Sequence, residues 1–422
     1  MMKVKTSLHK VLRRSESKAA RQTAVLFSSD ILGIILGVGV SVINTRLLSP
    51  EGFGDFKYVT NLLAFVLVVF EFGIFNTGGR LIALKQYERI KSDLLGSIVF
   101  LSAGVSVLFA ASFFLISYLQ EAIYHNGLGG LLRMLIPFLL FFPFRNFLEK
   151  ILEGDNRIYE LSWFRVAPRV LYIIAVLAIS FWTPLTVFHA MSMQMLTIAI
   201  LLPIVYKRIG PTYNNLKENL KTLSIENKQH GLQVYLGSLF SNGSQNLGTF
   251  TISFFLDNVS VGFFVLACTI SQPLMKIPQT IGTTLYKKFA NSNRIPAKIL
   301  LLTLGVTLGV YVVFMLTIKY VVVLVYSEEY LPVVPVVYLV SISFIVQGFS
   351  FFMNRFLNSH GKGVMLRNAS FIRGGINIVG FFLLVKYYGL DGACATLIIS
   401  NVLYLLFLIY SYTRYVKSQD NG

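Results

Sequence analysis

A chain of 422 residues would ordinarily hold two or three soluble domains, but 55% of this one is hydrophobic and only 13% charged. Its mean hydropathy of +0.67 places it among all-α polytopic membrane proteins, with no soluble domain expected. The net charge of +18 does not point to nucleic acid, because the basic residues form no single patch interleaved with aromatics.

Residues 1–21 hold seven Lys or Arg and no apolar core, so they read as a basic cytoplasmic tail before an uncleaved anchor. A helix needs about 20 residues to cross a hydrocarbon core of about 30 Å. Stretches of that size lie near 24–45, 58–77, 94–119, 131–148, 163–182, 185–206, 233–255, 259–284, 299–325, 333–354, 369–387 and 392–412, which predicts twelve transmembrane helices. Of the 37 Lys and Arg, 31 fall in the N-terminal tail or in alternate gaps between these stretches. Basic side chains are retained on the cytoplasmic face during insertion, so both termini are expected in the cytoplasm. Arg46, Lys57, Arg133, Lys319 and Lys386 lie toward the other side, and Lys276 lies inside a helix.

The longest cytoplasmic gap, 207–230, is polar and sits midway, which makes it a linker between an N-lobe at 22–206 and a C-lobe at 231–412, with a short tail at 413–422. An internal repeat supports the division. An offset of 208 residues sets Leu48 on Leu256, Ser49 on Asp257, Gly54 on Gly262 and Phe56 on Phe264. The same shift carries Ser29, Gly33, Gly37, Ser41 and Thr45, one per helical turn, onto Gly237, Ser241, Gln245, Thr249 and Ser253. A helix face of small or polar residues is either a packing seam or the wall of a hydrated path. In the seventh helix the neighbouring Ser238, Asn242 and Asn246 are too polar for lipid, so with Gln245 they are candidate cavity-lining residues. Two similar six-helix lobes around a central cavity are the architecture in which secondary transporters rock between inward and outward openings.

No enzyme signature is present. His9, His125, His189, His230 and His360 are scattered without metal-ligand spacing, and no nucleotide-binding loop occurs, so neither a metal nor a cofactor is expected and ATP is not the direct energy source. Cys268 and Cys394 lie in apolar stretches and receive no role. Ionisable groups inside apolar helices are the default functional candidates because they are expensive unless paired or hydrated. Asp30 and Glu71 each lie nine residues from a basic boundary residue, about 13 Å inside the membrane, and are either a coupling-ion site or groups neutralised by a neighbouring Arg. Lys276, eleven residues before Lys287, lies about 16 Å deep and suits a cavity that admits an anion. Arg145, Arg165, Arg169, Arg355 and Arg373 lie nearer the cytoplasmic face. They are either topogenic anchors on lipid phosphate or, through planar guanidinium forks, a set that gathers a diphosphate.

The segments LLSPEGFGDFKYVTN, FGIFNTGGRLIALKQY, LEGDNRIYELSWFR, VYSEEYLPVVPVVYL and YYGLDGACATLIIS resemble, in order and spacing, the bacterial flippases for lipid-linked polysaccharide repeat units. These form the polysaccharide transporter branch of the multidrug/oligosaccharidyl-lipid/polysaccharide exporter superfamily. The resemblance implies two six-helix lobes in a V and residence in the bacterial inner membrane. It also implies the transfer of undecaprenyl-diphosphate-linked oligosaccharide to the outer leaflet for O-antigen or capsule, with a polysaccharide polymerase and a chain-length regulator as partners. Two other readings stay open. Efflux of cationic drugs fits the helix count but suits a net-basic interior poorly, and a membrane-embedded polymerase or ligase would need a larger external loop than the gaps here provide.

Overall fold

The computed structural model describes residues 2–124, 126–285, 289, 292–360 and 362–420, without the side chains at 2–20, 22–24, 27, 85, 86, 88, 230, 233, 234, 237, 238, 240–242 and 420. Among the described residues there are fourteen α-helices and no strand. They are α1 (Met2–Leu47), α2 (Pro50–Phe70), α3 (Ile74–Ala83), α4 (Lys91–Tyr124), α5 (Leu128–Leu139), α6 (Phe142–Gly154) and α7 (Ile158–Ser180). The series continues with α8 (Val187–Ile209), α9 (Leu216–Glu226), α10 (Leu232–Phe255), α11 (Asn258–Thr284), α12 (Ala297–Val325), α13 (Val333–Ser359) and α14 (Gly363–Asp420).

Nine helices among the described residues are long and apolar enough to cross a membrane, ten if the bent pair α5–α6 forms one span. That pair is bent by 43° where Pro143 sits at the start of α6 and Pro137 lies inside α5; neither proline can donate to the helix ladder. As a single helix the 58 residues of α14 would extend about 87 Å, far more than one bilayer. Gly389, at φ 57° and ψ −134°, breaks it into two arms, a backbone conformation that glycine adopts without steric cost. With these two arms and α10 counted, each of the twelve expected stretches falls mainly on helix.

The second span is displaced from its expected place. The sequence puts it at 58–77, whereas α2 begins at Pro50 and ends at Phe70. Its start is built by Ser49, whose hydroxyl accepts from the amide of Gly52 at 3.1 Å, followed by a proline in the first helical position. Its repeat equivalent does the same: Asp257 accepts from the amide of Ser260 at 2.6 Å and opens α11. The repeat therefore aligns two N-caps as well as two glycines.

Packing divides the chain into two compact units. One comprises Met1–Ile43 with Val69–Tyr235, and the other Asn44–Val68 with Leu236–Gly422. Most of α2 thus packs with the C-terminal helices, whereas the halves read from the sequence place it in the N-lobe. The second unit is held together at this point by close backbone approach. A Cβ on Gly54 would overlap the carbonyl of Asn258, and the Asn258 side chain donates to Asp55 at 2.7 Å. Tyr58 and Phe65 meet Phe250 edge-on, with centroids 6.0 and 5.1 Å away. Arg46 donates to the carbonyls of Leu324 (2.6 Å) and Val325 (3.0 Å), satisfying and neutralising the C-terminal end of α12.

In the first unit α2 stops because Phe72 and Gly73 both take positive φ, 46° and 77°. The expected linker 207–230 contains α9 and closes over this break. Asn227 donates to the Phe72 carbonyl at 2.9 Å and accepts from Thr77 at 2.8 Å, Arg80 pairs with Glu226 at 2.8 Å, and Tyr235 donates to the Val69 carbonyl at 2.8 Å.

Candidate functional site

In the first unit, helices α1, α6 and α7 bring five of their charges together. Arg145 and Glu149 are one turn apart on α6 and pair at 3.5 Å. Arg165 of α7 bridges two carboxylates, with Asp30 of α1 at 3.0 Å and Glu149 at 3.4 Å. Arg169, one turn further along α7, makes no ion pair among the described residues. Its guanidinium lies over Gly33, where a Cβ would overlap it. A cavity of about 100 Å³ adjoins this point and is lined by Gly37, Arg145, Arg169, Tyr172 and Gln194, among others.

The balance of charge in this cluster matters more than any one contact. Three permanently charged guanidiniums stand beside two carboxylates, leaving a positive excess around Arg169, which makes no ion pair among the described residues. Such an excess inside apolar helices is expensive unless water or an anion compensates it. Glycine at 33 makes the arrangement possible, because a larger residue would displace the guanidinium. The small-residue face of α1 is therefore in part a seat for Arg169, although Ser29, Ser41 and Thr45 on the same face are simply buried.

Asp30 is paired with an arginine, the alternative left open beside the ion-site reading. Glu71 is not. It stands at the break after α2 and accepts from Asn146 at 3.4 Å. No contact joins Asp30 to Glu71 among the described residues. Glu149 escapes notice in the sequence, since an Arg and a Glu four residues apart read as an ordinary solvated helix pair.

The second unit holds a larger cavity of about 400 Å³, lined by residues that include Gln245, Gln347, Ser370, Arg373 and Tyr404. Arg355 and Lys276 are partly buried and have no ion pair among the described residues; neither lines the two cavities described. Asn246 is partly buried on α10. The side chains of Ser238 and Asn242 lie outside the described residues.

The model of a family described as "Polysaccharide biosynthesis protein" matches residues 19–290, more than half of the chain. The chain belongs to this family. No curated protein sequence matches the chain. Among solved structures, the fold is similar to that of the lipid II flippase MurJ in an inward closed conformation. The TM-score is 0.72 at 16% identity, over 92% of this chain and 87% of that one. An inward-facing MATE-family multidrug resistance transporter of the MOP superfamily gives a TM-score of 0.70 at 14% identity, over 94% of this chain and 99% of that one. The MATE multidrug transporter DinF-BH gives 0.63 at 17% identity, over 93% and 95%. The family member described here is thus a multi-span membrane protein with the fold of the MOP superfamily.

Proposed function

We propose that this protein is a flippase that moves undecaprenyl-diphosphate-linked oligosaccharide from the cytoplasmic to the outer leaflet of the bacterial plasma membrane. The product would feed O-antigen or capsule assembly, and alternating access would provide the path. The observation that carries this reading is Arg169, an arginine without an ion pair among the described residues, beside two arginines that are only partly neutralised by Asp30 and Glu149. A diphosphate offers several oxygens in the geometry that guanidinium forks take in pairs. Arg169 would engage first. Arg145 and Arg165 would then share their hydrogen bonds between the carboxylates and phosphate oxygens, so the entering negative charge meets the positive excess of the cluster. An organic cation meets the opposite field, which disfavours drug efflux at this site.

The basic residues in alternate gaps support an arrangement with both termini in the cytoplasm. Cysteine labelling should then reach Lys221 only from the cytoplasmic side, and Glu121 and Glu328 only from outside.

The deciding measurement is translocation of a fluorescent undecaprenyl-diphosphate oligosaccharide in reconstituted vesicles. Wild type should deliver it across the bilayer. Arg169→Ala should slow delivery by about ten- to a hundredfold at equal protein content, the worth of hydrogen bonds to a charged group. Arg169→Lys should keep part of the rate. Export of a rhodamine-type cation, with no movement of the sugar-lipid, would replace this function with drug efflux.

A further inference from the structure

The cavity of the second unit has a composition unlike that of the cluster around Arg169. Among the described residues its walls carry two amides, Gln245 and Gln347, the hydroxyl of Ser370, the rings of Phe351 and Tyr404, and one charge, Arg373, with no Asp or Glu. The Arg373 guanidinium carbon lies 5.6 Å from the centre of the Tyr404 ring. Its Nε–H is buried and has no hydrogen-bond partner among the described residues. The Tyr404 hydroxyl accepts from Asn354 at 3.1 Å, so its own proton remains available to an acceptor in the cavity. One turn beyond Arg373 along the same helix, Asn377 is 1% exposed, and neither end of its amide has a partner among the described residues.

A desolvated guanidinium with an unused donor is retained at a cost unless an anion takes it, and the planar fork suits a carboxylate in particular. The rest of the lining suits a sugar ring. Side-chain amides both donate and accept, as hydroxyl groups require, and two aromatic rings offer apolar faces beside them. The size selects further. About 400 Å³ is far larger than an inorganic ion needs and lies at the small end of ligand pockets.

We propose that this cavity is a subsite for a single acidic sugar of the hexuronate class, its carboxylate on Arg373 and its hydroxyls on Gln245, Gln347 and Ser370. Delivery of that sugar as part of a lipid-linked oligosaccharide rests on the flippase reading, whereas binding of the free sugar does not.

The test is calorimetric or saturation-transfer titration of the purified full chain in detergent with D-glucuronate, D-glucose and inorganic phosphate. Glucuronate should bind with a Kd on the order of 1 mM, as befits a ligand of this size. Glucose and phosphate should bind at least about tenfold more weakly, and Arg373→Gln and Gln347→Ala should each weaken glucuronate by a similar factor. Because Arg373 is partly built into the core, Gln347→Ala on another wall keeps the test decisive if Arg373→Gln fails to fold. Absence of glucuronate binding, equal binding of glucose, phosphate binding as tight as glucuronate, or wild-type affinity in both variants would each overturn the subsite. Glucuronate binding without any sugar-lipid translocation would remove the flippase reading alone, and intact translocation without glucuronate binding would remove the subsite alone.

Discussion

Gly54 and Gly262 stand 208 residues apart at equivalent places of the internal repeat, and they touch: a Cβ on Gly262 would lie 3.0 Å from the Gly54 Cα. The starts of α2 and α11 therefore meet, each behind its own N-cap, Ser49 and Asp257. Glycine is needed there because backbone lies against backbone and no flexible side chain can give way.

Gly54→Ala should consequently cost stability, by about 1–3 kcal/mol as for overpacking of a tight core. Gly305→Ala on α12, where an added Cβ meets nothing within 4 Å, should be neutral or slightly stabilising. Thermal unfolding of the purified variants measures both. Equal melting temperatures would mean that the Gly54 contact relaxes without cost.

The break after α2 invites a second measurement. Asn227 satisfies the Phe72 carbonyl and takes the Thr77 proton, so it holds the strained residue Phe72 from the far end of the linker. Asn227→Ala removes two hydrogen bonds and should lower stability by about 1–3 kcal/mol. Thr77→Val removes only one and should lower it by about half as much. If Thr77→Val is the more damaging of the two, the Phe72 carbonyl does not depend on Asn227.

Much of this architecture was legible because the bilayer imposes it. A spanning segment must be long, apolar and internally hydrogen-bonded, so hydropathy alone locates helix in every stretch. What hydropathy cannot register is where a span begins when its first turn carries Pro50, Glu51, Gly52 and Gly54, and it places the second span too late for that reason. The turn chemistry in LSPEG holds the correction. The charge cluster was legible in part: Asp30 stands out by depth and Arg145, Arg165 and Arg169 as arginines near the cytoplasmic face, but Glu149 acquires its place between Arg145 and Arg165 only when α6 packs on α7. Arg373 was visible only as one of the arginines near the cytoplasmic face, whereas its cavity joins four helical segments far apart in the chain.

Asp30 and Glu71 now predict different things. Loss of the Asp30 charge would release Arg165 from one of its two partners, which links that charge to the state of the cluster. Asp30→Asn should therefore remove any dependence of translocation on a proton gradient, while Glu71→Gln, which keeps an amide-compatible contact with Asn146, should retain it. Vesicle translocation with and without an imposed gradient distinguishes them. Unchanged gradient dependence in Asp30→Asn would leave that carboxylate a structural partner of Arg165.

Lys276 lies between two prolines of α11, Pro273 and Pro278, and has no ion pair among the described residues. An ammonium at that depth is costly unless hydrated or met by an anion. Lys276→Ala should reduce sugar-lipid translocation without loss of abundance, and Lys276→Arg should restore part of it because the charge survives. A wild-type rate in Lys276→Ala would assign this lysine to structure alone.

The sharpest separation is between Gly33 and Gly37, one turn apart on the same face of α1. A methyl group at 33 meets the guanidinium of Arg169, the far end of a flexible side chain, whereas at 37 it meets nothing within 4 Å and enters the cavity. Gly33→Ala should thus leave the fold intact but shift Arg169 out of its seat, weakening head-group recognition while capacity at saturating substrate changes little. Gly37→Ala should be tolerated, since it adds helix propensity and fills no needed space. Gly37→Leu, by contrast, should block the cavity and lower the maximal rate, more so than Leu36→Phe off this face. Concentration-dependent translocation resolves these effects: an apparent affinity lost in Gly33→Ala, and a maximal rate lost in Gly37→Leu. If the two variants fail in the same way, α1 is acting as a packing seam and Arg169 is not positioned by Gly33.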